Sequence, residues 1–391
     1  MNITKRRGAA IAGVLAIALV GAACGSDNSG SSSSATSAAA TTAGGATTTT
    51  AGGAATSAGA TTTAAGGGGA TTTVKVSGTL QGSGSTFQAA FQQEAIADFQ
   101  KANSGTTITY GGGGSGKGRT DLAQSVVNFA GSDAPFDAAS KPANPVLYFP
   151  VLLGPITVSY NLSGLSKPLQ LSADALAKIF SRTIKTWNDP AIAADNPGVT
   201  LPSMAITVVH RSDGSGTTQN FTQYLMAAAP SSWTLGSGST VQWPADTQAG
   251  NGNTGVAQIV TQTSGAVGYV DLSDAIASKL SYANIKNSSG KYIEPTPDSA
   301  SAAGEGITVN ADLTFSAINS PAPTAYPITY QSWVLVYQTQ TSAGTGQLLK
   351  AYLGYLLGDG QKLLPDLDYA PLSKTLQTSA VKQLDQLKIG A

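Results

Sequence analysis

Residues 211–218 have the sequence Arg211-Ser212-Asp213-Gly214-Ser215-Gly216-Thr217-Thr218. A β-rich run precedes this stretch at 205–209, and a segment with helical spacing of apolar residues follows it at 219–225. The pattern predicts a short glycine-rich turn that joins the end of a strand to the start of a helix. The first N–H groups of a helix are unpaired and partly positive, so such a turn can bind an anion. An ordinary capped turn fits the same residues equally well.

If the turn binds an anion, it offers several kinds of donor. Arg211 has a planar donor fork that suits phosphate or carboxylate. Ser215 and Thr217 add hydroxyls, and Gly216 adds a backbone N–H that a ligand can approach closely. Asp213 can brace the guanidinium, although an Asx-turn is an equally good explanation of this aspartate.

The composition of the chain excludes several classes of function. Among 391 residues, 21 Lys and Arg balance 21 Asp and Glu, and charged residues make up only 11%. Nucleic-acid binding and a polybasic membrane patch both need an excess of positive charge, so neither is expected. One Cys and one His exclude an intrachain disulfide and a metal site built from such ligands. A carboxylate-only Ca²⁺ or Mg²⁺ site remains an alternative, although the sequence has no EF-hand spacing. We expect no cofactor and no metal ion.

The N-terminus has the features of an export signal. Lys5-Arg6-Arg7 precedes an uncharged stretch, 8–23, so residues 1–23 are predicted to be a signal peptide. Cys24 follows Gly21-Ala22-Ala23 and resembles the lipidated cysteine of bacterial lipoproteins, although Gly21 stands where Leu is more usual. Secretion with a chance cysteine remains the alternative. The rest of 24–73 is almost entirely Ser, Thr, Ala and Gly, which predicts a disordered tether.

From residue 74 onward, strand and helix patterns alternate, which favours an α/β fold with mainly parallel sheets. Apolar residues at helical spacing from Phe87 predict a helix that starts near 85–86, and a second helix is predicted around 122–129. The β-rich run 146–160 is interrupted by Gly154-Pro155. This part of the chain is long enough to divide into two lobes.

Ligands of such sheets bind beyond the carboxyl ends of the strands. Three loops rich in Gly, Ser and Thr follow predicted strands, at 82–87, 111–118 and 211–217. They contribute the hydroxyls of Thr86 and Ser115 and the backbone N–H of Phe87 to the same candidate pocket.

Asp133 ends a short buried strand, 129–133, and at first contradicts an anion site. A carboxylate repels an anion unless the ligand carries a proton that the carboxylate can accept. Hydrogen phosphate has such a proton at neutral pH, whereas sulfate does not. Asp133 therefore predicts selection of phosphate over sulfate, with a strand-end turn residue as the alternative.

Several runs of this sequence resemble the high-affinity phosphate-binding protein of bacterial Pst-type ABC transporters. The runs are Gln81-Gly82-Ser83-Gly84-Ser85-Thr86-Phe87, Phe129-Ala130-Gly131-Ser132-Asp133-Ala134-Pro135, 184–192, 196–202, 208–217 and 367–372. They occur in order and span most of the predicted folded part.

The resemblance implies a two-lobe, type II periplasmic-binding fold with two hinge crossings and the ligand in the cleft between the lobes. Lobe I would comprise 74–153 and 323–391, and lobe II 154–322. The implied phosphate contacts are Thr86, Phe87, Ser115, Asp133, Arg211, Ser215, Gly216 and Thr217. The implied partners are inorganic phosphate and the permease subunits of an ABC importer. We expect a monomer that is not an enzyme and that a lipid anchor holds at the outer face of the cell membrane.

Other classes of protein fit the sequence less well. Residues 111–117 approach a P-loop, but Gly118 stands where Ser or Thr should bind Mg²⁺. A serine hydrolase would need a G-x-S-x-G elbow, which does not occur in this sequence, and His210 is the only imidazole available as a base. A phosphate-handling enzyme, a binding protein for another oxyanion and a tethered adhesin remain the alternatives.

Overall fold

The computed structural model describes residues 76–390. The predicted signal peptide, the lipidation site at Cys24 and the tether up to residue 73 lie outside the described residues. Across the described range, none of the helices combines the length and the apolar character that a membrane crossing requires.

The described residues form a mixed α/β structure. The strands are β1 Gly78–Gly84, β2 Thr106–Gly113, β3 Phe129–Ser132, β4 Val146–Tyr160, β5 Gln170–Leu171, β6 Thr207–Arg211, β7 Gln248–Gly250, β8 Ala266–Asp271, β9 Ser281–Tyr282, β10 Asn284–Lys286, β11 Tyr292–Ile293, β12 Thr329–Tyr337, β13 Thr339–Gln340 and β14 Lys388–Ile389. The helices are α1 Ala89–Ala102, α2 Gly114–Ala123, α3 Ala173–Phe180, α4 Pro190–Asp195, α5 Gly216–Ala228, α6 Gly252–Gln262, α7 Leu272–Ala277, α8 Pro297–Ala303, α9 Ala343–Leu357 and α10 Lys374–Gln383.

A nine-stranded sheet organises the structure, with the strand order β2-β1-β3-β12-β4-β8-β6-β7 and β9 paired to β4. We call β2, β1, β3, β12 and the first part of β4 the first half-sheet. The second half-sheet comprises the rest of β4 with β8, β9, β6 and β7. The outer strands pair in parallel, as predicted, whereas the long strands β12 and β4 pair antiparallel with their neighbours.

Strand β4 runs unbroken from Val146 to Tyr160, so the predicted interruption at Gly154-Pro155 is wrong. Pro155 is the last residue of β4 in register with β12, and Ile156 is the first in register with β8. A proline has no N–H to donate to a ladder, so it is tolerated where the strand changes partner. All fifteen residues of β4 are buried, which places this strand in the core of both half-sheets.

The glycine-rich residues 111–118 form the end of a strand and the start of a helix instead of a loop. Strand β2 continues to Gly113, and α2 begins at Gly114. Glycine lowers helix stability by about 1 kcal/mol per residue relative to alanine, but its small size is needed here. A Cβ atom on Gly118 would lie 2.7 Å from the Cα of Gly84 in β1, so the tight contact of α2 with β1 decides the local structure.

The predicted position of the second helix, around 122–129, is wrong, because α2 already ends at Ala123. Val126 is 57% exposed, and Phe129 already begins β3. The predicted helical face of α1 is confirmed, since Phe91, Ala95 and Phe99 are buried, but α1 begins at Ala89. The Oγ of Ser85 accepts hydrogen bonds from the next backbone N–H groups and forms a turn before the helix.

Candidate functional site

The predicted strand–turn–helix unit is present at the second half-sheet. Strand β6 ends at Arg211, and α5 begins at Gly216. Ser215 is the N-cap of α5, and its Oγ accepts a hydrogen bond from the N–H of Thr218 at 3.0 Å. The capping serine therefore satisfies one N–H group of the first turn, as the capped-turn explanation also expected.

The first turn of α5 lies directly against residues of the first half-sheet. A Cβ atom on Gly216 would lie 2.4 Å from Ser115 Oγ and 2.7 Å from Asp133 Oδ2. No side chain fits at this position without displacing one of these groups. Glycine therefore lets the backbone of α5 approach a hydroxyl and a carboxylate that belong to two other elements.

Arg211 is 4% exposed and its guanidinium is held on several sides. Its Nε donates to Asp213 Oδ1 at 2.7 Å, and a second ion pair joins the same two groups. One terminal nitrogen donates to Asn253 Oδ1 at 2.8 Å and to Thr217 Oγ1 at 3.4 Å. Burial raises the pKa of Asp213, but the bonds and charge of Arg211 outweigh this, so the pKa is lower than usual.

Asp133 follows β3, is 1% exposed and is surrounded by serine hydroxyls. Ser85 and Ser332 each donate to its Oδ1 at 2.6 Å, and Ser115 donates to its Oδ2 at 3.0 Å. Burial raises the pKa of Asp133; the serine hydrogen bonds and the positive charge of Arg211 oppose this, and the net shift is upward. This carboxyl is thus a buried acceptor whose affinity for a proton exceeds that of an ordinary aspartate.

Thr86 and Phe87 lie in the turn between β1 and α1. Thr86 Oγ1 accepts a hydrogen bond from the N–H of Asn253 at 3.4 Å. The N–H of Phe87 donates to Ser85 Oγ at 3.1 Å, and its ring packs on Tyr330 with centroids 4.1 Å apart. The structure thus places Phe87 beside the candidate pocket, with its ring in the core.

The three predicted loops converge. Besides the contacts of Gly216, the N–H of Gly116 in α2 donates to the carbonyl of Gly214 at 2.8 Å. Thr217 Oγ1 lies 3.3 Å from the Tyr330 hydroxyl, which belongs to β12. These contacts bring together, directly or through one intermediate residue, Thr86, Phe87, Ser115, Asp133, Arg211, Asp213, Ser215, Gly216 and Thr217.

Sequence reasoning missed several residues of this site. Asn253 bridges Arg211 and Thr86, and Ser332 and Ser85 hold Asp133. One signal was available, because Ser332 is a hydroxyl residue directly before the apolar run Trp333-Val334-Leu335-Val336 of β12. The partner of such a buried hydroxyl depends on strand order, which the sequence pattern did not supply.

His210 directly precedes Arg211 in β6. Its Nδ1 lies 2.9 Å from the Arg211 carbonyl oxygen, and its ring stacks on Trp243 with centroids 4.9 Å apart. Burial lowers the pKa of His210; the hydrogen bond to the Arg211 carbonyl opposes this, and the net shift is downward. These contacts make His210 a structural neighbour of Arg211.

The arrangement suits a small oxyanion that carries a proton. A buried arginine, the N-terminus of a 13-residue helix and several hydroxyls provide donors, and one carboxylate provides an acceptor. Among residues 76–390, no group of three or more His, Cys, Asp or Glu side chains could hold a metal ion.

Comparison with known proteins gives a consistent result. The profile of the PBP superfamily domain matches residues 69–359. The phosphate-binding protein PstS of Xylella fastidiosa strain 9a5c is 35% identical over 318 residues, which cover 80% of this chain and 84% of the relative. PstS 3 of Mycobacterium tuberculosis strain CDC 1551 / Oshkosh is 36% identical over 307 residues, which cover 75% and 82%.

The fold is shared with solved phosphate-binding proteins. A high-affinity periplasmic phosphate-binding protein, PfluDING, bound with phosphate, superposes with a TM-score of 0.66 at 21% identity. The superposition covers 78% of this chain and 93% of that protein. The predicted fold class, an α/β periplasmic-binding fold of type II, is confirmed. The chain belongs to the PstS family of phosphate-binding proteins, within the PBP superfamily.

Proposed function

We propose that this protein binds inorganic phosphate outside the cytoplasmic membrane and delivers it to an ABC importer. The observation that carries the proposal is the position of Asp133 Oδ2 beside the first turn of α5, where Arg211 and the helix N-terminus supply positive charge. Hydrogen phosphate satisfies both sides of this site, because it has oxygens for the donors and a proton for the carboxylate. The names of the related proteins support the same ligand.

The proposed ligand contacts are Thr86, Phe87, Ser115, Asp133, Arg211, Ser215, Gly216 and Thr217, with Asp213 as the brace of Arg211. The protein acts by binding and release, without a covalent step. The single imidazole of the chain supports this view, since His210 is engaged with Trp243 and the Arg211 carbonyl.

Binding proceeds by closure of two lobes, 74–153 with 323–391 and 154–322, around the anion. The boundary between 153 and 154 lies within β4, which the two half-sheets share, and the boundary between 322 and 323 lies shortly before β12. The hydrogen bond between Gly116 and Gly214 supports closure, because it links α2 on one side to the turn after β6 on the other. The closed form docks on the permease as a monomer.

The same proposal includes a lipid anchor at Cys24, supported by the sequence pattern alone. Metabolic labelling with a radioactive fatty acid should mark the wild-type chain, whereas Cys24→Ala should leave the chain unlabelled and free in the extracellular fluid. Equal labelling of both chains would contradict the anchor.

Titration calorimetry of the purified full-length chain with phosphate, arsenate and sulfate tests the proposed function. Phosphate and arsenate both carry a proton at neutral pH and should bind, whereas sulfate should bind far more weakly. Equal affinity for sulfate, or no binding of phosphate, would contradict the proposal.

A further inference from the structure

A buried row of hydrogen bonds runs from α9 through the start of α1 and β12 to Asp133. The Tyr352 hydroxyl donates to Gln92 Oε1 at 2.7 Å, and Gln92 Nε2 donates to Gln88 Oε1 at 2.7 Å. Gln88 Nε2 donates to Ser332 Oγ at 2.7 Å, and Ser332 Oγ lies 2.6 Å from Asp133 Oδ1. Each of these five side chains is at most 1% exposed.

Every bond of this row points the same way, from donor to acceptor, towards the carboxylate. An amide NH₂ can only donate, so the Oγ of Ser332 must accept from Gln88. Its hydroxyl proton is then free to point at Asp133 Oδ1, which must accept. Because hydrogen bonds in a buried chain polarise one another, the row strengthens this last bond.

Ser85 reinforces the same oxygen by the same logic. Its Oγ accepts from the N–H groups of Phe87 and Gln88 at 3.1 and 3.4 Å, so its proton also goes to Asp133 Oδ1. Two fixed donors therefore occupy Oδ1, which leaves no place for a proton on that oxygen.

The other oxygen of Asp133 faces the anion site. Ser115 accepts from the N–H of Asp133 at 3.1 Å and donates to Oδ2 at 3.0 Å. Oδ2 is also the oxygen that lies against the backbone of Gly216. A proton that the ligand offers can thus be accepted only at Oδ2, on the side where the anion would lie.

We propose that Gln88, Gln92 and Ser332 are positioning residues that hold Asp133 as a proton acceptor and thereby set the preference for phosphate over sulfate. The inference rests on the proposed phosphate-binding function and deepens it. Burial alone favours the protonated form of Asp133, and a protonated carboxyl can donate to an oxygen of sulfate. The row counteracts this, because its last member donates to the ionised form.

The test compares three variants with the wild type by titrating the full-length chain with phosphate and with sulfate. Ser332→Ala removes a donor to Oδ1, Gln88→Met removes the donor that orients Ser332, and Gln92→Met removes the more distant link. Gln383→Met is the matched control, since Gln383 is a buried glutamine whose Nε2 donates to the Tyr148 carbonyl at 2.7 Å. Thermal unfolding of each ligand-free variant verifies that it folds.

We expect sulfate to bind the Ser332 and Gln88 variants about threefold to tenfold more tightly than the wild type, with a smaller gain for Gln92→Met. Phosphate should bind them more weakly, and the control should match the wild type for both anions. A purely structural role cannot produce a gain in sulfate affinity. If the affinities for phosphate and sulfate fall by the same factor, the positioning role is wrong. It is also wrong if Gln383→Met shows the same gain in sulfate affinity. If instead the wild type itself does not bind phosphate, the proposed function fails as well.

Discussion

At the residue scale, the guanidinium of Arg211 is already hydrogen-bonded to side chains of the protein. Its Nε donates to Asp213, and one terminal nitrogen donates to Asn253 and Thr217. These bonds fix the fork in one orientation, so the charge is placed without a further entropy cost when an anion arrives. The value of Arg211 therefore lies in its geometry as much as in its charge.

Arg211→Ala should weaken phosphate binding by about 1.5–3 kcal/mol, because a charge-assisted contact is lost. Arg211→Lys should recover only part of the loss, since an ammonium cannot replace a planar fork that binds Asp213 and Asn253 together. Calorimetric dissociation constants measure both effects. Arg182→Ala serves as the control, because that arginine bonds to Asp246 and to the Ile206 carbonyl and should leave affinity unchanged.

Asp133→Asn should reduce the discrimination between phosphate and sulfate while stabilising the ligand-free protein at pH 8. Burial raises the pKa of Asp133 in the folded state above its usual 3.8, so folding is less favourable once this group must ionise. The penalty is absent below pH 3.8 and grows as the pH rises through the raised pKa. Thermal unfolding in phosphate-free buffer should show a melting-temperature advantage of the variant that increases with pH. An advantage that is constant from pH 4 to pH 8 would contradict this assignment.

At the scale of elements, the site depends on how closely the first turn of α5 approaches β3 and α2. Gly216→Ala would push a methyl group against Ser115 Oγ and Asp133 Oδ2. We expect phosphate affinity to fall by at least tenfold, roughly the cost of one overpacked methyl group. Gly344→Ala, near the start of α9, has nothing within 4 Å of the new methyl group and should leave binding unchanged. Similar affinities for the two variants would show that the close approach is unimportant.

The sequence was most informative where local pattern and tertiary contacts agree. The turn after β6 and the apolar face of α1 were predicted, because strand, glycine and helix signals there point to the same structure. The pattern failed at Gly114, where α2 begins inside a run that predicts a loop, and at Pro155, which lies within β4. In both places a contact with a distant strand overrides the local preference.

The composition of the site was predictable to a similar extent. Residues on the glycine-rich loops could be named, because loops after parallel strands share one edge of a sheet. Ser332 and Asn253 could not, since β12 is about two hundred residues after Asp133 and reaches it only through the strand order. Hydrogen-bond partners of this kind depend on the assembled sheet.

At the scale of the whole molecule, closure should be limited by the contact between α2 and the turn after β6. A Cβ atom on Gly116 would lie 3.0 Å from the carbonyl oxygen of Gly214. Gly116→Ala should therefore impede closure and weaken phosphate binding, whereas Gly354→Ala, whose methyl group would have its nearest neighbour at 3.8 Å, should not.

Small-angle X-ray scattering with and without phosphate measures this effect. The wild type and the Gly354 variant should contract on binding, and the Gly116 variant should contract less at equal saturation. Identical contraction in all three would show that this contact does not limit closure.

Strand β4 also has a consequence for how the protein loses its structure. One continuous buried strand is hydrogen-bonded to β12 along its first part and to β8 along the rest, so the two half-sheets share β4 as a core strand. Melting one half removes the support of the other, so differential scanning calorimetry should detect a single cooperative transition with equal calorimetric and van't Hoff enthalpies. Two resolved transitions would contradict this expectation. A single transition would show that β4, the strand at one proposed boundary between the lobes, makes the two half-sheets one unit of unfolding.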